Sequence, residues 1–498
     1  MTITRGRLLA LNALSMVVAN IIAKAILFIG MVFLLQYLNQ GLESTFYLVT
    51  AFSSIMALNF QDGMVSVTIR KVATDLKNGP KYLGDLYFGS FFLAIVLVMV
   101  SFPLAFIYSR ASLETPGLQG EYFKSAVFLI GAYLIGYGYS CAGAGFKAYE
   151  KLYLEAVLII LQAILNAGVY WYGANHGWVL SQFFVGLFIT NFFHSILSNI
   201  VLLLMVVRPS LNFSFLDSFQ LFMESLHLGY ATLLRTVQDR IHPFFIDSFA
   251  SHEKITQLSS PNNLLLQLKF IPLSVRPAIF PTLARKAERK SSEFQIYSVA
   301  LMKFLYLIAI PLIILLIVAR EEILPLVTEI APNFKSNYSE ALAIYPLVGW
   351  AVILSFPSQV LRSLFVALKK PEYEFWTVLA GVSVLAAIDI LFIPSHGVIA
   401  CGYASIACEA VILAYGVTLI GRAGRPLFIN SLFLHATACG IVIHLIAEYA
   451  YHVHWALGVL SVIVLFPVLV LLFKVINKEE WTIVREIIKP KTSPQENS

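Results

Sequence analysis

The stretch LLALNALSMVVANIIAKAILFIGMVFLLQYL, residues 8–38, decides the fold class. It is apolar for longer than the roughly 20 residues that cross a bilayer as a helix, and it holds a lysine, Lys24, about halfway along. Arg5 and Arg7 give it the basic start of a signal peptide, but no clear cleavage site follows, so it is read as a retained first span. The rest of the chain has the same texture. Of 498 residues, 59% are hydrophobic and 12% charged, with a mean hydropathy of +0.80; a soluble domain carries roughly 25% charged residues. A soluble enzyme on a membrane anchor is excluded.

Proline, glycine and charge divide the chain into candidate spans at about 8–38, 43–70, 83–109, 122–146, 153–172, 176–207, 219–250 and 258–283, then at about 294–318, 339–368, 373–394, 398–420, 427–447 and 454–474. The connections test this division, because Lys and Arg collect on the cytoplasmic side. Arg70, Lys71, Lys77, Lys81, Lys147, Lys151, Arg208, Arg285, Lys286, Lys369, Lys370, Arg422 and Arg425 all fall on one side, with both termini. The other side carries few bases and the acids Glu321, Glu322, Glu329 and Glu340. A missed span would spoil this bias, so the count is even, and both termini are cytoplasmic.

The expected fold is therefore all-α: a polytopic membrane protein of about fourteen transmembrane helices. Two pseudo-symmetric six-helix lobes, 1–208 and 209–421, are followed by two additional spans in 422–476. The link Arg208-Pro-Ser-Leu-Asn-Phe-Ser-Phe-Leu-Asp217 suits a junction between lobes. Basic pairs at corresponding helix exits, Arg70-Lys71 and Arg285-Lys286, fit an internal repeat of the kind transporters use, and equally fit two ordinary positive loops. The segment 477–498 reads as an amphipathic helix on the membrane surface, with Trp481, Val484 and Ile488 on one face, then a disordered tail.

Charges inside hydrocarbon are costly and generally face a bundle interior or a wet cavity. The seventh and eighth spans hold the densest set: Arg235, Asp239, Arg240, Asp247, Lys269 and Arg276. Arg235 and Asp239, four apart, share a helix face and suit a salt bridge, as do Arg240 and Asp247, seven apart. Bases outnumber acids, and Lys24, Lys303 and Arg362 add to the surplus, although Lys303 and Arg362 lie near span ends and can snorkel. A cavity so lined attracts an anion, and phosphate oxygens suit arginine's bidentate geometry. Pro272 and Pro277 break the eighth span and suit a hinge. In the fourth span, Gly131, Gly136, Gly138, Gly143 and Gly145 read as a close-packing face. Tyr133, Tyr137 and Tyr139 offer hydroxyls or ring faces to sugars, or serve as core.

Several chemistries find no support. There is no phosphate-binding GxxxxGK[ST] loop, no HExxH, no GxSxG and no acidic pair on a large loop. Cys141, Cys401, Cys408 and Cys439 form no CxxC pair. His444, Glu448 and His452, spaced i, i+4, i+8, read as solvated rather than metal-binding. No metal, cofactor or nucleic-acid partner is expected.

The chain resembles the polysaccharide and oligosaccharide flippases of the multidrug/oligosaccharidyl-lipid/polysaccharide (MOP, MATE-like) exporter superfamily. The residues that carry the resemblance are the first span Leu11 to Lys24, the second-span end Asp62-Gly63 to Arg70-Lys71, and the eighth-span end Arg276-Pro-Ala-Ile-Phe-Pro-Thr-Leu-Ala-Arg285. The resemblance implies a non-enzymatic flippase of the inner (cytoplasmic) membrane. It would move a polyprenyl-diphosphate-linked oligosaccharide, an O-antigen, capsule or exopolysaccharide repeat unit, by alternating access. Lys24, Arg235, Arg240, Lys269 and Arg276 would hold the diphosphate, and Asp239 and Asp247 would serve as charge partners or couple an ion. A polysaccharide polymerase and glycosyltransferases would be its partners, beside membrane lipids. The alternatives are a peptidoglycan lipid-precursor flippase, a MATE-like drug or cation exporter with an acidic pocket and, from another class, an integral membrane glycosyltransferase or polymerase.

Overall fold

The computed structural model describes the chain apart from residues 1–4, 39, 58–59, 113–115, 211, 213, 274–282, 284–285, 288–292, 324–337, 425–426, 428–430, 474 and 476–498. Arg276, Pro277 and the expected amphipathic tail helix lie outside the described residues. All regular structure among the described residues is helical. The helices are α1 (Arg5–Tyr37), α2 (Gln40–Met56), α3 (Phe60–Thr74), α4 (Gly79–Ser112), α5 (Pro116–Ala148), α6 (Leu152–Asn175), α7 (Leu180–Met205) and α8 (Phe215–Arg240). They continue as α9 (His242–Phe249), α10 (Ile255–Leu266), α11 (Glu293–Val318), α12 (Tyr338–Ala367), α13 (Glu372–His396), α14 (Ile399–Arg422), α15 (Ser431–Val453) and α16 (Trp455–Leu472).

Among the described residues, eleven helices are long and apolar enough to cross a membrane, or twelve if α2 and α3 count as one span bent by 47°. The protein is thus a multi-pass membrane protein. The expected single span 43–70 is broken after Ala57. The expected seventh span is two helices, α8 and α9, and neither is among the eleven. The expected eighth span starts as α10 with a 3₁₀ turn at Gln267–Lys269, and Pro272 is buried just beyond it.

The chain divides into two compact units, one comprising mainly Met1–Ser259 together with Asp389–Val398, the other Ser260–Leu326, Ser339–Ile388 and Ile399–Ser498. In the first unit, α1 packs along α6 and α5 along α7. Small residues set both distances. A β-carbon on Gly30 would fall 2.6 Å from the Ala167 Cα, and on Gly145 2.5 Å from a Leu202 methyl. Gly131, Gly138 and Gly145, seven apart, all turn to α7, at Phe188, Ser195 and Leu202; the packing reading of these glycines holds. Outward faces stay apolar, as at Phe91, Met99 and Ile107 of α4, which suits contact with lipid.

Helix α8, which carries most of the charges of the expected seventh span, belongs to this first unit. Ser214 caps it by accepting from the Asp217 N–H at 3.4 Å, and the Asp85 carboxylate of α4 accepts from the Ser214 N–H at 3.3 Å. Lys81–Asp217 (2.8 Å) and Lys71–Glu224 (3.0 Å) tie the first turns to α3 and α4. Farther along, two glycines bring α8 against α3: Gly63 faces the Ser225 carbonyl and Gly229 faces Phe60. Met64, Val67, Leu83, Cys141 and Leu221 fill the core below that crossing.

In the second unit α11 is the core helix, buried on nearly every side, and α15 and α16 pack on it. Lys303 of α11 does not snorkel. It is 1% exposed and donates to the Val475 carbonyl at 2.9 Å, just past the C-terminus of α16. An ammonium there sits near the negative end of a helix and satisfies a backbone carbonyl outside it.

Candidate functional site

Where α2, α3, α5, α7 and α8 of the first unit meet, the packing opens into a cavity of about 450 Å³. Its lining is rich in polar residues, among them Gln61, Asp62, Tyr133, Tyr139, Asn191, Asp239 and Arg240. The α3–α8 glycine crossing places Asp62 on the same cavity as Asp239 and Arg240. The small residues of α5 leave room beside its tyrosines. A β-carbon on Gly136, a lining residue, would meet nothing within 4 Å.

Hydrogen bonds fix the walls. The Gln61 amide donates to the Tyr137 carbonyl at 2.8 Å and to Ser90 Oγ at 3.2 Å. The Tyr137 hydroxyl donates to the Ala57 carbonyl, and Ser54 Oγ lies 3.4 Å from the Tyr133 hydroxyl. Tyr139 is held with its ring centroid 4.4 Å from that of the buried His194. Asn191 gives one amide hydrogen to the Leu187 carbonyl at 2.8 Å and keeps a second donor and a carbonyl acceptor. The wall is thus a rigid frame of aromatic rings interrupted by groups that both donate and accept.

The expected site residues separate in this structure. Arg240 and Asp239 line the cavity. Arg235 is half-buried on α8 and is not one of the lining residues, and Lys24 is half-buried on α1. Lys269 belongs to the second unit, where it lies 3.6 Å from the buried carboxylate of Glu409 on α14. Ser358 Oγ donates to the same carboxylate at 2.8 Å.

Asp247 does not share a helix face with Arg240, because the chain breaks between α8 and α9. It accepts instead from the Tyr108 hydroxyl at 2.9 Å and pairs with His252 Nδ1 at 2.8 Å, while His252 Nε2 lies 3.1 Å from Thr45 Oγ1. Arg362, expected to snorkel, is paired with the fully buried Glu374 at 3.1 Å. Glu448 is engaged by Arg320, whose Nη1 donates to it at 2.9 Å, so it is not offered to a metal with His444 and His452.

Sequence reading passed over Gln61 and Asn191, whose neutral amides carry no signal within apolar helices. Asp62, Glu374, Asp389 and Glu409 did carry one. Each is an acid within or beside an apolar span, the same cost argument that singled out the bases. Asp389, fully buried, pairs with His242 Nδ1 at 2.6 Å within the first unit.

No family model matches the chain, and no curated protein sequence matches it. Solved structures do. A lipid II flippase, MurJ, in an inward closed conformation superposes with a TM-score of 0.73 at 14% identity, covering 93% of this chain and 98% of its own. A MOP superfamily transporter from Pyrococcus furiosus, described as having a binding pocket of reverse polarity, gives 0.67 at 12% identity, over 85% of this chain and 99% of its own. An inward-facing multidrug resistance MATE family transporter gives 0.66 at 12% identity, over 83% and 99%. The chain has the fold of the MOP exporters and flippases.

Proposed function

We propose that this protein is a flippase, which carries a lipid-linked substrate with an anionic, glycosylated headgroup across the inner membrane and changes no covalent bond. The observation that carries the reading is the polar cavity of the first unit. A chamber of about 450 Å³ with Asp62, Asp239 and Arg240 in its wall is costly inside hydrocarbon unless a hydrated headgroup uses it.

The fourteen-span arrangement with cytoplasmic termini, and the lobes 1–208 and 209–421, belong to the same proposal, as do the diphosphate-binding roles of Lys24, Arg235, Arg240, Lys269 and Arg276. Arg240 is the base that the cavity supports directly. Lys269 acts on substrate only when its pair with Glu409 opens. The likeness to the lipid II flippase extends over more of the chain than the likeness to the MATE transporters, which favours a peptidoglycan-type lipid precursor over an O-antigen, capsule or exopolysaccharide unit.

A second reading has its own support. Asp62 and Asp239 make the cavity more acidic than basic, as a MATE-like cation exporter would require. Reconstitution of the whole chain in vesicles separates the two, with a fluorescent polyprenyl-diphosphate-linked sugar in one sample and a cationic dye in the other. The flippase reading expects the lipid to change leaflets, the dye to stay, and Arg240→Leu to stop the lipid. Dye transport without lipid transport would replace this reading with the exporter.

A further inference from the structure

We propose that His252 is a proton-binding site away from the cavity, positively charged when it pins the start of α2 to α9, and that loss of its proton loosens the pin. The inference holds for either cargo. Its first support is the count of donors and acceptors. His252 Nδ1 lies 2.8 Å from one oxygen of Asp247 on α9, and the Tyr108 hydroxyl of α4 donates to the other at 2.9 Å. An ionised carboxylate only accepts, so Nδ1 carries a hydrogen. Nε2 lies 3.1 Å from Thr45 Oγ1 of α2, whose own hydrogen goes to the Gly41 carbonyl at 2.8 Å. Nε2 then donates as well, and an imidazole that donates from both nitrogens is a cation.

The surroundings ask for that charge. Asp247 is 3% exposed, and the Tyr108 ring beside it packs on Phe52, Tyr122 and Phe244. A carboxylate buried among aromatic rings needs a partner of opposite charge. The other charged or titratable groups on the packed elements are turned elsewhere. Glu43 of α2 hydrogen-bonds to Tyr47, His242 of α9 pairs with Asp389, and Arg110 of α4 donates to Gln119. On the 3₁₀ turn of His252 itself, Glu253 is exposed and Lys254 extends to Gly397. His252 keeps 19% of its side chain exposed, which gives a proton a way in and out.

Losing the proton undoes the arrangement at one atom. A neutral ring that keeps its Nδ1 hydrogen toward Asp247 turns a bare Nε2 to Thr45. The Thr45 hydrogen must then leave Gly41 or the contact is lost, and Asp247 loses its counter-charge. A proton held more tightly in the pinned state favours that state as pH falls. A second link does not titrate: Ser44 Oγ lies 2.7 Å from Thr256 Oγ1, and both residues are buried. The start of α2 is thus loosened and not released. Ser54 and Ala57 of α2 line the cavity, as does Arg240, two residues before α9, so the pin acts on two of its walls from outside.

The test uses the full chain in lipid nanodiscs at about pH 6 and about pH 8.5, across which histidine loses its charge. In nitrogen NMR of isotope-labelled histidines, with His252→Gln identifying the signal, both ring nitrogens should carry hydrogen at the lower pH and one at the higher. Hydrogen exchange of the peptide 251–258, corrected for the intrinsic effect of pH, should show about ten-fold less protection at the higher pH, the loss of one charged hydrogen bond. This second readout needs no variant. His252→Gln should remove the difference, whereas Ser44→Ala should lower protection equally at both values. A His252 ring with one bare nitrogen at the lower pH overturns the proposal, since Thr45 then donates to it. Equal protection at both values in the unaltered protein, or a difference that survives in His252→Gln, overturns it too, and none of these results touches the flippase reading.

Discussion

Arg240 and Lys269 stand on neighbouring segments of sequence, the end of α8 and the 3₁₀ turn after α10, yet each unit treats its base differently. In the first unit Arg240 borders a cavity with Asp62 and Asp239, among hydroxyls and amides. In the second, Lys269 lies against Glu409, Arg362 against Glu374, Arg320 against Glu448, and Lys303 on the Val475 carbonyl. Charges of the second kind are held by a partner within the unit, and Lys269 alone is proposed to reach substrate when its pair opens. The cavity lies in the first unit, so that unit is where cargo recognition is to be sought.

Substitutions can break this contrast, and the largest effect is expected in the second unit. Glu374→Leu leaves the Arg362 guanidinium in a largely buried place without its fully buried partner. It should cost about 3–5 kcal/mol, seen as a lower unfolding temperature in detergent. Arg240→Leu should cost less stability, because Arg240 is only half-buried, while transport falls about 10- to 100-fold through loss of charged hydrogen bonds. If both variants unfolded alike, the contrast would collapse.

Two further variants sharpen it. Gly30→Ala places a methyl against the Ala167 backbone and should cost about 1–3 kcal/mol by overpacking the α1–α6 contact, measured by thermal unfolding, with transport per folded molecule unchanged. The double change Lys269→Met with Glu409→Leu replaces an ion pair by apolar groups and should unfold within about 1 kcal/mol of the parent. Its transport should fall about ten-fold. Parental transport in that double variant would confine Lys269 to joining helices.

The smallest effect concerns the turn after α3. Asp75 is exposed and accepts from the Asn78 side chain at 2.6 Å and, more weakly, from its backbone N–H. These hydrogen bonds hold its carboxyl below the ordinary value of 3.8. A depressed folded-state pKa means the bonds stabilise the turn above that ordinary value and are lost as pH falls through the lower one. Hydrogen exchange at Asn78 should therefore quicken only in strong acid, and Asp75→Asn should remove the dependence.

Much of the fold is written in the apolar runs. The expected spans 153–172, 294–318 and 398–420 correspond to α6, α11 and α14 within a few residues. The break after Ala57 was not legible, since no proline or glycine marks it. For the candidate site, the cost of charge in hydrocarbon pointed to α8, whose Arg240 and Asp239 line the cavity. It could not distinguish a base that faces a chamber from one that meets a carboxylate, because Glu409 and Glu374 lie far along the chain from Lys269 and near Arg362 only after a turn. Lys303, expected to snorkel, is buried on the Val475 carbonyl instead, and Arg362 keeps some exposure while it pairs with Glu374.

The central claim is that a lipid-borne headgroup passes by way of the Arg240 chamber, and the sidedness of that lipid in living cells tests it most directly. Cells depleted of the protein are exposed to a membrane-impermeant hydrolase that cleaves the headgroup from outside. The account predicts that uncleaved lipid-linked sugar builds up, that the unaltered protein restores cleavage, and that Arg240→Leu, present in equal amount, does not. Full cleavage in depleted cells, or full restoration by Arg240→Leu, would contradict it.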